Sequence, residues 1–132
     1  MKNNSITRII LCIVLLISTV SFIDCSQQSS FSGDSTGNDH QFLLDFSILN
    51  TTESNQMYLQ KGEQINTSIE ITKGTVDIIV KDEAGKVAYE GNNVNTSNFT
   101  IGIDETGKYT FDVTGKNAKG SVHFEKGESN QG

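Results

Sequence analysis

The chain has no proline and no tryptophan. Its two cysteines, Cys12 and Cys25, both lie in the first 25 residues. Nothing after residue 25 can therefore close a disulfide within the chain, so a domain there must be held by its core. Basic residues are scarce as well. From Cys25 onward there are 8 Lys/Arg against 15 Asp/Glu, a net charge of −7. This balance disfavours phosphate-backbone binding, which depends on clustered Lys and Arg, and no nucleic-acid partner is expected. It also disfavours adsorption to anionic lipid. An acidic surface mainly keeps a protein soluble and apart from its copies, so a monomer is expected.

There is one long hydrophobic run, Ile9–Ile23, preceded by Lys2 and Arg8 and closed by Asp24. A positive start, an apolar stretch and a polar exit are the order of a secretory signal. The 15-residue run also falls short of the roughly 20 residues needed to span a bilayer. Residues 1–24 therefore read as a signal peptide and the remainder as exported. The run gives way to polar sequence within "SFIDCSQQSS", residues 21–30. This stretch resembles a bacterial lipobox: an aliphatic residue, a tolerant position, a small residue, then Cys. Phe22 stands where Leu is usual, and Asp24 puts a charge where a small neutral residue is expected. Two readings stay open. Cys25 is a lipidation site that holds the protein on the outer face of the cell membrane, or it is a passenger beside cleavage after Ser21 or Ser26, and the protein is secreted. A single acyl chain anchors marginally, two firmly.

Residues 25–41 contain one large apolar residue, Phe31, among Ser, Gln, Gly and Asp. Such a composition cannot offset the entropy of ordering, and it reads as a flexible tether. From Phe42 the pattern acquires period two. Ile65, Thr67, Ile69 and Ile71 share a face; so do Val76, Ile78 and Val80; so do Phe99, Ile101 and Ile103; so do Tyr109, Phe111 and Val113; and so do Val122 and Phe124. Alternation of this kind marks strands with one buried and one wet face. Ile79 falls on the wet side. Gly- and Asn-rich breaks at 73–74, 82–85, 90–93, 104–108 and 115–120 supply turn chemistry. The spacing predicts seven to eight short strands: 42–49, 56–60, 63–72, 75–81, 86–90, 98–103, 108–114 and 120–126. No segment after residue 41 has a helical apolar period. The expectation is all-β: an antiparallel β-sandwich, jelly-roll or immunoglobulin-like, over 42–127, with a disordered tail at 128–132.

Within "ETGKYTFDVTGKNAKGSVHF" (105–124), Gly107, Tyr109, Phe111, Asn117, Val122 and Phe124 are spaced as in the last hairpin of the Golgi-dynamics (GOLD-like) β-sandwiches, which this stretch resembles. The preceding 58–91 looks like the earlier strands of such small exported modules. The resemblance covers roughly 42–126. It implies a binding or spacer module with no catalytic residues to carry over. The chain departs from the cargo-receptor members in having no cysteine pair in the domain and no coiled coil after it.

Candidate chemistry is thin. His40 falls in the tether and His123 on the wet face of its strand, without a metal-ligand spacing such as H-x-x-x-H. There is no G-x-S-x-G elbow, no D-x-[DN]-x-[DN]-G calcium loop and no phosphate-binding glycine loop. The carboxylate pairs Asp82/Glu83 and Asp104/Glu105 sit in turns, where adjacent acids solvate separately. No cofactor and no metal are expected. The triplets at Asn50, Asn66, Asn95 and Asn98 match a glycosylation acceptor pattern, but Asn, Ser and Thr are frequent enough for chance. The sequence thus reads as a non-catalytic exported or surface-anchored module that binds a protein or envelope partner or acts as a spacer. The alternative is a hydrolase or metal-dependent enzyme using the loop carboxylates. For the anchor reading, fatty-acid labelling of cells should mark the native protein and not Cys25→Ala; label that persists in the variant rules out this attachment site.

Overall fold

A computed structural model describes residues 28–128. All of its regular structure is strand: β1 (Ser30–Gly37), β2 (Gln41–Asn50), β3 (Thr52–Leu59), β4 (Gln64–Asp82), β5 (Val87–Gly91), β6 (Ser97–Gly102) and β7 (Gly107–Lys126). Every pairing is antiparallel and all seven strands belong to one hydrogen-bonded sheet.

That sheet is folded into two layers by its two longest strands. β4 and β7 pair from Ile65↔Lys126 to Asp82↔Tyr109, with irregularities only between Ile71 and Thr75. In one layer the first half of β4 and the second half of β7 are flanked by β6 and by β2, which carries β1 outside it. In the other, the second half of β4 and the first half of β7 are flanked by β5 and β3. Phe111 and Phe124 both lie on β7, and their ring centroids are 5.0 Å apart. A straight strand would hold residues thirteen apart at about 43 Å. The strand therefore turns back over itself, and the two layers face one another across these rings.

The bend needs glycine. Gly74 has φ 72°, and a Cβ there would collide with the Asn117 carbonyl oxygen. Gly120 has φ 150°, and a Cβ would collide with the Glu70 carbonyl oxygen. Both backbones approach closely because neither position carries a side chain. Asn117, at φ 48°, completes the bend in β7; asparagine is among the few side chains that tolerate this region.

The core is what the alternation implied. Ile65, Ile69, Val76, Ile78, Val80, Ile101, Ile103, Tyr109, Phe111, Val113, Val122 and Phe124 are buried, together with Phe42, Leu44, Phe46, Leu49, Met57, Leu59 and Ala118. Thr67 is the one buried polar residue among those described, and its hydroxyl donates to the Ile65 carbonyl at 3.4 Å. Phe42 stacks on Phe124 at 6.2 Å. Ile71 and Phe99 are half-buried at the margin. Ile79, on the outer face, is half-buried as well.

Several expectations are corrected. The stretches 63–72 and 75–81 are one strand, and so are 108–114 and 120–126. The glycines at 73–74 and 115–120 bend strands that stay paired instead of ending them. Residues 105–124 therefore form no hairpin: the two halves of β7 pair with β4, β2 and β3, not with each other. The expectation of a flexible tether over 25–41 is corrected for its described part. Ser30–Gly37 is a strand, paired with β2 from Ser30↔Asn50 to Gly37↔Phe42, and Phe31 packs against the core. Composition missed it because an edge strand needs only main-chain pairing and one anchoring side chain. The expected signal peptide, Cys25 and residues 129–132 lie outside the described residues. Phe111→Ala should cost about 3–5 kcal/mol by leaving a cavity between the layers; a urea melt showing a loss under about 1 kcal/mol would contradict this placement.

Candidate functional site

Two places gather polar side chains. The larger is the outer face of the first layer. Strand register sets His123 of β7 beside Ser68 of β4 and Asn98 of β6; the next row outward is Glu125, Asn66 and Thr100. Side chains two residues apart point the same way, so these six stand on one surface. With Thr67 and Phe99 they line an open trough of about 370 Å³. A second hollow of about 260 Å³, lined by Asp45, Glu70, Thr72, Lys119 and Ser121 among others, continues along the same face. Between them His123 Nε2 meets Asp45 Oδ1 at 3.0 Å. Both side chains are substantially exposed, so the pair orients the imidazole more than it stabilises the fold.

The trough offers amide, hydroxyl, imidazole and carboxylate groups on short stems, fixed to a paired sheet. Such a surface can donate and accept several hydrogen bonds at once. It holds no assembled nucleophile, and among the described residues no three His, Cys, Asp or Glu side chains are grouped to hold a metal.

The second place is a crevice at the far end of the sandwich from the bend. It is lined by Asp82, Lys86, Val87, Ala88, Gly102, Asp104, Glu105 and Tyr109. Here the structure brings together two carboxylate turns that are separate in the sequence. The crevice holds about 30 Å³, room on the order of one or two waters and not a substrate. Its groups have structural partners. The Asp82 carboxylate accepts the Lys86 backbone N–H at 2.9 Å, closing the β4–β5 turn. The Tyr109 hydroxyl donates to the Glu105 carbonyl at 2.6 Å. A tyrosine at the start of a strand, tied to the backbone just upstream, is a recurrent corner device of β-sandwiches. Lys86 Nζ lies 3.7 Å from Glu105 Oε1, but both are more than 60% exposed and such a pair contributes little. Glu83, Asp104 and Glu105 are exposed and Asp82 is half-buried.

No family model and no curated protein matches the sequence. Among solved structures, the chain is similar to PliG, a periplasmic inhibitor of g-type lysozyme from Aeromonas hydrophila, at 16% identity and TM-score 0.49, over 68% of this chain and 89% of that one. It is similar to CBM86, a low-affinity xylan-binding module from Roseburia intestinalis, at 13% identity and TM-score 0.38, over 75% and 87%. It is similar to a cupin domain from Bordetella pertussis at 8% identity and TM-score 0.36, over 77% and 98%.

The histidines stand apart in role. His40 is in the β1–β2 turn, where its N–H donates to the Asn38 side chain at 2.8 Å and its carbonyl accepts Lys126 N–H. His123 points outward, as alternation implied. Asn66, Ser68, Asn98, Thr100 and Glu125 were legible one by one as wet-face residues, but not as a group. Their grouping depends on β4 lying between β6 and β7, which no local signal encodes.

Burial pushes the Tyr109 phenol above its ordinary value of 10.0, and the charges of Asp82, Glu105 and Asp104 add to the rise. The fold therefore favours the neutral phenol. Its contribution is complete below the unfolded value of about 10 and is lost as pH rises through the folded value. Tyr109→Phe should cost about 1 kcal/mol near neutrality through the lost hydrogen bond. It should also soften the decline of stability above pH about 10. Urea midpoints that fall in parallel for both proteins on alkaline titration would refute the linkage.

Proposed function

We propose that the protein is an exported, non-catalytic β-sandwich that binds a cell-envelope partner, protein or polymer, through the trough on its outer face. It works either from a lipid on Cys25 or as a released protein. The observation that carries this reading is the contrast between the two polar sites. The roomy one is a shallow hydrogen-bonding surface on rigid strands, suited to recognition. The one that collects carboxylates is filled by turn-closing contacts and admits no substrate. A hydrolase would need an acid held in a water-poor cleft, with its proton retained by burial. Among the described residues no Asp or Glu is buried. A spacer role remains the simplest alternative, since a small folded domain can separate other components without contacting them.

Crosslinked detergent extracts test the reading. Native protein should capture a defined envelope protein or wall polymer, and the triple variant Asn66→Ala, Ser68→Ala, His123→Ala should lose most of that capture while keeping the native urea midpoint. All three positions have their side chains on the outer face, so little core energy is at stake. Equal capture by both proteins removes the trough from the function; recovery of nothing specific from either favours the spacer.

A further inference from the structure

The global charge is acidic, but the fold does not spread it evenly. Four chain segments meet at the bend: 49–52, 71–75, 92–96 and 115–120. They are joined by Gly115 N–H to Thr51 O at 3.0 Å, Val94 N–H to Val76 O at 2.9 Å and Ile71 N–H to Thr96 Oγ1 at 3.0 Å. These segments contain Lys73, Lys116 and Lys119 and no Asp or Glu. The opposite end, built from 38–40, 60–63, 82–86, 103–106 and 126–128, contains Asp39, Glu63, Asp82, Glu83, Asp104, Glu105 and Glu128 against three lysines. Each layer is some seven or eight residues long, so the two ends lie about 25 Å apart. That exceeds the screening length of about 8–10 Å. A charged surface near one end hardly feels the other.

The three bend lysines are exposed. Lys73 lies directly opposite Lys119 in the ladder, and Lys116 is opposite Thr75. Like charges placed across a strand pair repel, and among the described residues no acid lies within 4.0 Å of any of the three. Acids border these segments: Glu53 follows the first, Glu90 precedes the third, Glu70 lines a hollow with Lys119, and the Asp77 carboxylate accepts the Asn93 N–H at 2.7 Å.

The same end receives the chain from its N-terminal part. Ser30 pairs with Asn50. The Asn50 amide donates to the Gln28 carbonyl at 3.3 Å and its side-chain oxygen accepts the Asn117 N–H at 3.1 Å, between Lys116 and Lys119. Gln28 is three residues after Cys25, a reach of at most about 10 Å. A cysteine held in a membrane therefore keeps this end, and no other, near the headgroups.

We propose that the bend end, through Lys73, Lys116 and Lys119, docks on the anionic phospholipid surface in which Cys25 is anchored, and that the acidic loop end points away from it. The inference rests on the lipid-anchor reading of Cys25. The short connection supplies proximity, which a protein of net charge −7 would not achieve alone. The lysines then set orientation. The trough, on the side of the layer, stays accessible.

The test begins with the full chain expressed in cells given labelled fatty acid. If Cys25 carries label, the purified protein is reconstituted in phosphatidylglycerol–phosphatidylcholine vesicles and in phosphatidylcholine vesicles and treated with a water-soluble amine-reactive ester. Lys73, Lys116 and Lys119 should react more slowly than Lys61 and Lys86 in the first and not in the second. Equal reactivity in both overturns the proposal while leaving the anchor intact. If Cys25 carries no label, the anchor reading has failed and the docking proposal falls with it.

Discussion

The pairing of β4 with β7 along both layers is the constraint on which the rest depends. These two strands are the centre of both layers, and every other strand is hydrogen-bonded to one of them or, for β1, to a strand that is. Because the pair bends as a unit, the side chains that alternate inward on one half meet those that alternate inward on the other. Phe111 and Phe124 come from one strand yet pack face to tilted face. A sandwich made this way needs no separate element to cover its core, which suits a domain with no disulfide to hold it. The cost falls on the bend, where backbone meets backbone and side chains must be absent at Gly74 and Gly120.

The same geometry explains what the sequence revealed and what it hid. Alternation is local, so the buried faces of β4, β6 and β7 could be read residue by residue, and the all-β class followed. The turn at 82–85 was legible because a tight hairpin has its own chemistry. Positions 73–74 and 115–120 carry that chemistry too, but there glycine and asparagine let a paired strand change direction. Turn and bend differ in whether the ladder continues, which depends on a partner some forty residues away. β1 was hidden for another reason. Its one inward anchor, Phe31, sits among residues typical of solvated chain, and its order comes from the main chain of β2.

Sites were less legible than fold. A trough built from β4, β6 and β7 exists only when register has placed Asn66, Thr100 and Glu125 side by side. The two carboxylate turns showed the opposite limit. They were visible as pairs, and the structure does bring Asp82 to Asp104 and Glu105, but the reason is a corner closed by Tyr109. Net charge was the bluntest instrument. It argued correctly that the average surface is acidic and could not say how the acids divide between the two ends of the sandwich.

Placing β7 last in the chain has a consequence for how the protein is made. Neither layer can close before β7: one needs its first half, paired from Thr75↔Lys116 to Asp82↔Tyr109, and the other its second half, up to Lys126. Contacts such as Ile65↔Lys126 span much of the chain, and pairing of that range forms slowly. A polypeptide emerging in order thus has no partly finished domain to lock prematurely. It stays open until β7 has emerged, and the topology that ties the two layers together also sets when both can assemble.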